Sequence, residues 1–288
     1  MNNVILLQVF LLLLGMSKVI LVTGASSGIG AAIARVLVSQ GHTVYGTGRQ
    51  CPPETNNDGV HMLKMDVRDE QHVQETIQSI VDQCGRIDVV VNNAGLGMVG
   101  AVELSNDQEI RSIFETNVFC VLHVCRHAIP HMRLGGGGYL INVTSMAGRV
   151  GLPFRGIYCA TKSAVEGFSE AMSMELKQFN IHVVILEPGD VKTNIEKHRV
   201  EVERAHSPEY HPLQQQVLDQ VNREVQKAMQ PDYLGVLVAR IILNPRPRLR
   251  YRSKKAMHRL AIFLKCLIPD RMFENLMMRF YGIPRSKK

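Results

Sequence analysis

The chain has 288 residues, 45% of them hydrophobic and 20% charged, the proportions of a folded globular protein with material for one large α/β domain or two small ones. Trp is absent and aromatics are only 6%, so no stacking platform for nucleic acid is evident, and the net charge of +7 is confined: Arg246 to Lys288 holds thirteen Lys and Arg against Asp270 and Glu274, leaving a slightly acidic body. That distribution argues against nucleic-acid binding, and six cysteines without a Cys-x-x-Cys pair or zinc spacing read as reduced, packed thiols of a cytoplasmic protein with no metal site.

In chain order, Val4 to Leu14 is apolar apart from Gln8, short for a membrane span and without the basic flank of a secretory leader. A membrane-touching helix, an extra packed helix and an upstream extension of the reading frame ahead of Met16 all remain open. Short apolar runs bounded by turn residues predict buried parallel strands at Val19–Val22, Thr43–Gly46, His61–Met65, Val89–Val91, Tyr139–Val143 and Val183–Leu186. Between them, helical periodicity covers Gly30–Gln40, Glu70–Cys84, Asp107–Met132 with an interruption near Pro130, and Tyr158–Phe179. Such alternation predicts an α/β doubly wound (Rossmann) parallel sheet with helices on both faces. Gly135–Gly138 reads as a flexible connection, and the polar, Gln-rich residues 190–230 as a substrate lid. After Pro245 and Pro247, Met257, Leu260, Ala261, Leu264 and Leu267 form one helical stripe; beyond Pro269, with Asp270 as a cap, Phe273, Leu276, Met277 and Phe280 form another. The expected organisation is an apolar extension over 1–17, a catalytic domain over 18–245 and basic amphipathic helices over 246–288. Core packing, dimer contact and peripheral membrane contact are all compatible with the last segment.

The loop Thr23-Gly24-Ala25-Ser26-Ser27-Gly28-Ile29-Gly30 joins the first strand to the first helix. Glycines there let the backbone turn sharply and approach a pyrophosphate, whose charge meets the N–H groups of a helix N-terminus. Nicotinamide-binding sheets specific for NAD carry an acid at the end of the second strand. Here that strand ends in Gly48-Arg49, and the guanidinium of Arg49 suits a 2′-phosphate, which predicts NADP(H). Tyr158 and Lys162 lie four apart on a helix and share a face. An ammonium beside a phenol favours the phenolate and so eases proton exchange with a reacting oxygen. Ser145, at a strand end, can hydrogen-bond that same oxygen.

Together the loop, Asn92-Asn93-Ala94-Gly95, Ser145, Tyr158-x-x-x-Lys162 and Pro188-Gly189 resemble the short-chain dehydrogenase/reductase family in order and separation, over about residues 18–195 and more loosely to about 245. The resemblance implies a catalytic tetrad of Asn117, Ser145, Tyr158 and Lys162, with Asn117 holding a water that links Lys162 to solvent. It implies cofactor contacts from Gly24, Ser26, Ser27, Gly28, Ile29, Gly30, Asp66, Val67, Asn93, Ala94, Gly95, Pro188, Gly189, Val191 and Thr193, besides Arg49, Tyr158 and Lys162. The expected reaction is NADP(H)-dependent interconversion of a ketone or aldehyde with an alcohol, on a lipophilic steroid, retinoid, long-chain acyl or sphingoid substrate. The C-terminal part is similar to hydroxysteroid and retinol dehydrogenases, and a homo-oligomer, dimer or tetramer, is expected. A 3-oxoacyl carrier-protein reductase and a non-catalytic NADP-binding regulator are the alternatives. His123, His127 and His131 recur every four residues, but without a visible carboxylate partner they do not make a zinc site. The sequon Asn142-Val143-Thr144 falls on a buried strand, and Cys159 reads as a packing residue.

Overall fold

Val-Ile-Leu-Val at 19–22 is buried at all four positions, as in a strand covered on both faces. In the computed structural model of the chain, which describes residues 17–50, 58–192, 199–204, 207–226, 228–252 and 256–284, this is the central strand β1. Val4–Leu14, Cys51 and Thr193 lie outside the described residues. In chain order the elements are β1 (Val19–Val22), α1 (Gly28–Ser39), β2 (Thr43–Gly48), β3 (His61–Lys64), α2 (Glu70–Cys84), β4 (Val89–Asn92), β5 (Met98–Val99), α3 (Asp107–Phe114), α4 (Cys120–Leu134), β6 (Gly138–Val143), α5 (Gly156–Glu175), β7 (Ile181–Glu187), β8 (Val200–Glu201), α6 (His211–Gln226), α7 (Asp232–Ile242), β9 (Arg250–Arg252), α8 (Ala256–Leu267) and α9 (Asp270–Tyr281). Seven strands form one sheet in the order β3-β2-β1-β4-β6-β7-β9, every pair parallel.

Pleating sends alternate side chains to opposite faces. Leu21, Val90, Leu140 and Val183 therefore pack with Ile77, Val121 and Val124 of α2 and α4. Ile20, Val22, Val91 and Val184 pack on the other face with Ile33, Leu37, Leu234 and Val238 of α1 and α7. Both faces are covered, and the strand order reverses between β1 and β4. The carboxyl ends of those two strands open the crevice where doubly wound sheets take their ligands.

Four local features depart from expectation. The helix expected over Asp107–Met132 is divided by a π-helical turn at Glu115–Phe119. Pro130 does not interrupt it, because α4 runs through to Leu134. The glycine run is not slack: Gly136 and Gly137 have φ of 85° and 136°, and a methyl on Gly137 would stand 2.4 Å from the Asn180 carbonyl oxygen. It therefore turns α4 tightly into β6 against the Asn180 turn. The seventh strand, β9, was not expected, since Arg-Tyr-Arg has no apolar run.

Candidate functional site

The candidate residues sit beyond the carboxyl ends of parallel strands or on the helices that follow. After β1 the turn leaves no space for a side chain at Gly30, where a methyl would lie 2.3 Å from the Gly24 carbonyl oxygen and 2.5 Å from Asn93 Nδ2. Gly24 and Gly28 have φ of 66° and 59°, in the left-handed region. Thr23 Oγ1 accepts from the backbone N–H groups of Asn93 and Ala94, both at 3.0 Å. Asn93 Nδ2 donates to the carbonyls of Thr23 (3.0 Å) and Gly24 (3.1 Å), bracing the two loops against each other. The N-cap residue of α1, Ser27, makes no side-chain cap, and the first turn carries no acid. Ser26 and Ser27 are exposed. Uncapped N–H groups without a competing carboxylate, beside a turn with no room for a Cβ at Gly24 or Gly30, fit a cofactor diphosphate.

Arg49 is exposed where β2 ends. Asp66, after β3, accepts from Arg68 Nε at 2.9 Å and from the Arg68 N–H at 3.1 Å. That pairing, with a smaller contribution from Arg49, holds its carboxyl below the usual carboxylate range. Val67 is buried and belongs to the core.

The π-turn brings Asn117 inward, 1% exposed; such bulges recur at functional sites. Its Oδ1 accepts from the Leu96 N–H at 2.7 Å, while Nδ2 donates to the Leu96 carbonyl (2.9 Å) and to Thr161 Oγ1 (3.1 Å). The amide thus pins the segment after β4 to α5. Gly95 sits in that joint: a methyl there would be 3.1 Å from Asn117 Oδ1 and 3.5 Å from Lys162 Nζ. Lys162 is 6% exposed and donates to the Val143 carbonyl at 3.2 Å. An ammonium carries three donors, and no other acceptor meets it among the described residues, so two N–H groups stand ready for ligand hydroxyls. Tyr158 is equally buried. Arg155 Cζ lies 4.8 Å and Lys162 Nζ 6.0 Å from its ring centroid, and its hydroxyl has no hydrogen-bond partner among the described residues. Ser145 extends from β6 and caps a short turn, its Oγ accepting from the Ala147 N–H at 3.2 Å. Ala147 packs in the same apolar cluster as Tyr158.

That cluster also takes in Met98, Ala101, Leu104, Ile113 and Val202, flanked by Phe154 and Tyr210. Val200 and Glu201 of β8 pair with Met98 and Val99 of β5, attaching the near end of the expected lid beside the β4 loop. From the C-terminal side, Ile262 and Phe273 pack on Val150 with Leu152 and Met146, the segment that follows Ser145. Gln216 Nε2 donates to the carbonyls of Tyr281 and Gly282, both at 2.9 Å. The expected stripes are only partly inward: Met257, Leu260, Leu267, Leu276 and Phe280 are exposed, whereas Ile262 and Tyr281, absent from those stripes, are buried. Asp270 is the first residue of α9 rather than its cap; Pro269 holds the cap position.

At the corner holding Pro188 and Gly189, an unanticipated ion cluster supports the backbone. Glu187, fully buried, accepts from Arg250 Nε at 3.0 Å and Arg252 Nε at 2.9 Å. Arg250 also pairs with Glu170 and lies 3.5 Å from Glu166, whose carboxyl is pushed up by burial and then by Glu187. A charge closing an otherwise apolar strand was the available signal for Glu187. Thr23, which stands in the loop motif, and Thr161 were likewise missed as supports. Val191 is buried and bridges to Met229.

The histidine series needs correction. Glu70, brought from α2, lies 3.2 Å from His127 Nε2 and 3.9 Å from His123 Nε2, and Arg126 shares it at 3.0 Å. Among the described residues no group of three or more His, Cys, Asp or Glu side chains is arranged to hold a metal ion. Asn142 is fully buried and bonded to Asn92 and Ser169. Cys159 is buried and its thiol pushed up by burial.

A nucleotide-type crevice beside a Tyr–Lys pair defines a dehydrogenase-like site. The description "short chain dehydrogenase" covers residues 18–204 of the chain by family model, and the chain belongs to that family of nicotinamide-using oxidoreductases acting on CH–OH and C=O groups. It is 35% identical to a 3-ketodihydrosphingosine reductase of Bacteroides thetaiotaomicron, over 92% of this chain and 98% of that protein. It is 31% identical to 17-beta-hydroxysteroid dehydrogenase type 1 of Homo sapiens, over 81% and 76% of the two chains. A short-chain dehydrogenase of Streptomyces avermitilis superposes with a TM-score of 0.76 at 29% identity, covering 93% of this chain and 97% of that one. NADP-bound ElxO superposes at 0.69 with 25% identity, covering 83% and 97%.

Proposed function

We propose that the chain is an NADP(H)-dependent oxidoreductase that interconverts a lipophilic ketone or aldehyde with its alcohol, and that a long-chain sphingoid ketone is the foremost substrate class. The observation that carries the reading is the joint at Gly95, where Asn117, Lys162 and, through α5, Tyr158 converge on one buried corner. When bound, the cofactor supplies or accepts a hydride at the carbonyl carbon. Gly24 to Gly30 would hold its diphosphate, Arg49 its 2′-phosphate, Asp66 and Val67 the adenine side, and Asn93 to Gly95 with Pro188, Gly189, Val191 and Thr193 the nicotinamide end.

Tyr158 Oη donates a proton to the carbonyl oxygen during reduction and accepts one from the alcohol during oxidation. Lys162, with two N–H groups available, would bind the ribose hydroxyls and so hold the cofactor beside Tyr158. Ser145 Oγ donates to the reacting oxygen and fixes its position. Asn117 braces Leu96 and Thr161 around Lys162, and in the proposed relay its turn would hold the water that returns protons from solvent. The partly buried Leu152, Phe154 and Tyr210, which flank the cluster holding Tyr158, support a lipophilic substrate. The near full-length similarity to a protein named 3-ketodihydrosphingosine reductase supports the sphingoid class ahead of the steroid one.

The test is turnover of 3-ketodihydrosphingosine, steroid ketones, retinal and 3-oxoacyl thioesters with NADPH, by the parent and by Tyr158→Phe. The variant is expected to bind NADPH normally and to lose at least about a hundredfold in kcat, the low end of a general acid–base contribution. Retained turnover with bound cofactor refutes the assignment.

A further inference from the structure

The α8–α9 hairpin has two unlike sides. Ile262 and Phe273 face the body beside the Ser145 turn. Leu260, Phe263 and Leu267 form an i, i+3, i+7 stripe on α8, and Met272, Leu276 and Phe280 an i, i+4, i+8 stripe on α9; these six are 41–65% exposed. Leu267 and Met272 bracket the turn at Ile268-Pro269, so the stripes meet there. Six large apolar side chains exposed along one pair of helices suit an interaction face.

Charge decides what covers it. The hairpin carries Arg259, Lys265, Arg271 and Arg279 against Asp270 and Glu274, and in sequence it is preceded by Lys254 and Lys255 and followed by Arg285, Lys287 and Lys288. The body before Arg246 is slightly acidic, so the molecule is electrostatically polarised toward this end. A second copy would present the same positive surface, and like charges across an interface oppose association. An anionic bilayer offers what both parts require, an apolar interior for Leu and Phe and negative headgroups for Lys and Arg. Among the described residues no helix is long and apolar enough to cross a membrane, so any contact through this hairpin is with the surface.

We propose that the outward face of the α8–α9 hairpin docks on the surface of an anionic lipid bilayer. The docking holds whichever substrate the enzyme takes. Its test is sedimentation of the full chain with vesicles of phosphatidylcholine alone or mixed with phosphatidylglycerol. Parent protein is compared with two full-length variants, one carrying Phe263→Ser, Leu267→Ser and Leu276→Ser, the other Leu7→Ser, Leu11→Ser and Leu14→Ser. Unchanged thermal midpoints and NADPH affinity establish that the variants are folded. The expected result is binding of the parent to phosphatidylglycerol vesicles, weakened by salt, and a loss of roughly tenfold or more in the hairpin variant. The proposal is overturned by absence of binding, by equal binding of parent and hairpin variant, or by binding that follows only the N-terminal substitutions. It is also overturned if light scattering finds a dimeric parent and a monomeric hairpin variant, which assigns the face to a second copy.

Discussion

Gly30→Ala introduces a methyl 2.3 Å from the Gly24 carbonyl oxygen and 2.5 Å from Asn93 Nδ2. Neither neighbour can yield cheaply. Gly24 is fixed at a positive φ, and Asn93 Nδ2 is bonded to both the Thr23 and Gly24 carbonyls. Overpacking of this kind costs about 1–3 kcal/mol, and loss of the Asn93–Gly24 hydrogen bond adds about 1 kcal/mol. A total near 3 kcal/mol lowers the thermal midpoint by roughly 6–12 °C in a domain of this size. The displaced loop also weakens cofactor binding. In the parent, the nicotinamide cofactor at a hundredfold excess over Kd stabilises by about 2.7 kcal/mol, and the variant is expected to lose most of that increment. Gly167→Ala supplies the opposite sign, since a methyl there meets nothing within 4 Å on the exposed side of α5. It is expected to gain about 0.5–1 kcal/mol from helix propensity and reduced chain entropy. Circular-dichroism melts with and without NADPH measure both. A Gly30→Ala protein that melts with the parent and binds NADPH equally refutes the close approach at this turn.

Arg49→Ala is expected to reduce the kcat/KM ratio of NADPH over NADH by at least about tenfold, the equivalent of one charge-assisted hydrogen bond; an unchanged ratio removes Arg49 from phosphate recognition. Glu187→Gln leaves Arg250 and Arg252 facing a neutral amide and is expected to cost about 3 kcal/mol in urea unfolding, the low end for a broken buried pair because Arg252 reaches solvent. A loss below about 1 kcal/mol contradicts it. Burial pushes the thiols of Cys120 and Cys125 up to about 12, so at pH 8 only about one in ten thousand is thiolate. Iodoacetamide mapped by peptide mass spectrometry is expected to label exposed Cys266 in the native state and to reach Cys120, Cys125 and Cys159 only after unfolding. Native-state labelling of Cys159 as fast as Cys266 contradicts the burial assigned to it.

Strands buried on both faces were readable because an apolar run of four to seven residues between turn signals has few other uses. The loop glycines and the Tyr158–Lys162 spacing were readable because backbone geometry and helix pitch are local. What escaped depends on residues distant in sequence. β9 has two charges in three residues, and both charges serve a buried partner, Glu187, that lies more than sixty residues away. Glu70 reaches His127 across 57 residues, which helical spacing cannot disclose. The π-turn at Asn117 follows from its bonds to Leu96 and Thr161, not from any local preference of Glu-Thr-Asn-Val-Phe. Pro130 ends a helix in a propensity argument, yet tertiary packing carries α4 past it to Leu134.

Glu187 also imposes a timetable. It leaves the ribosome 63 residues before Arg250, an interval of roughly 3–13 s at ordinary elongation rates. Throughout that interval the carboxylate has neither counter-ion, so the nascent β7 edge favours water over the closed sheet. The ion cluster beside Pro188 and Gly189 is therefore incomplete until Arg250 and Arg252 have been made. A chain cut short before Arg250 lacks both counter-ions of Glu187 and the strand that closes this edge of the sheet.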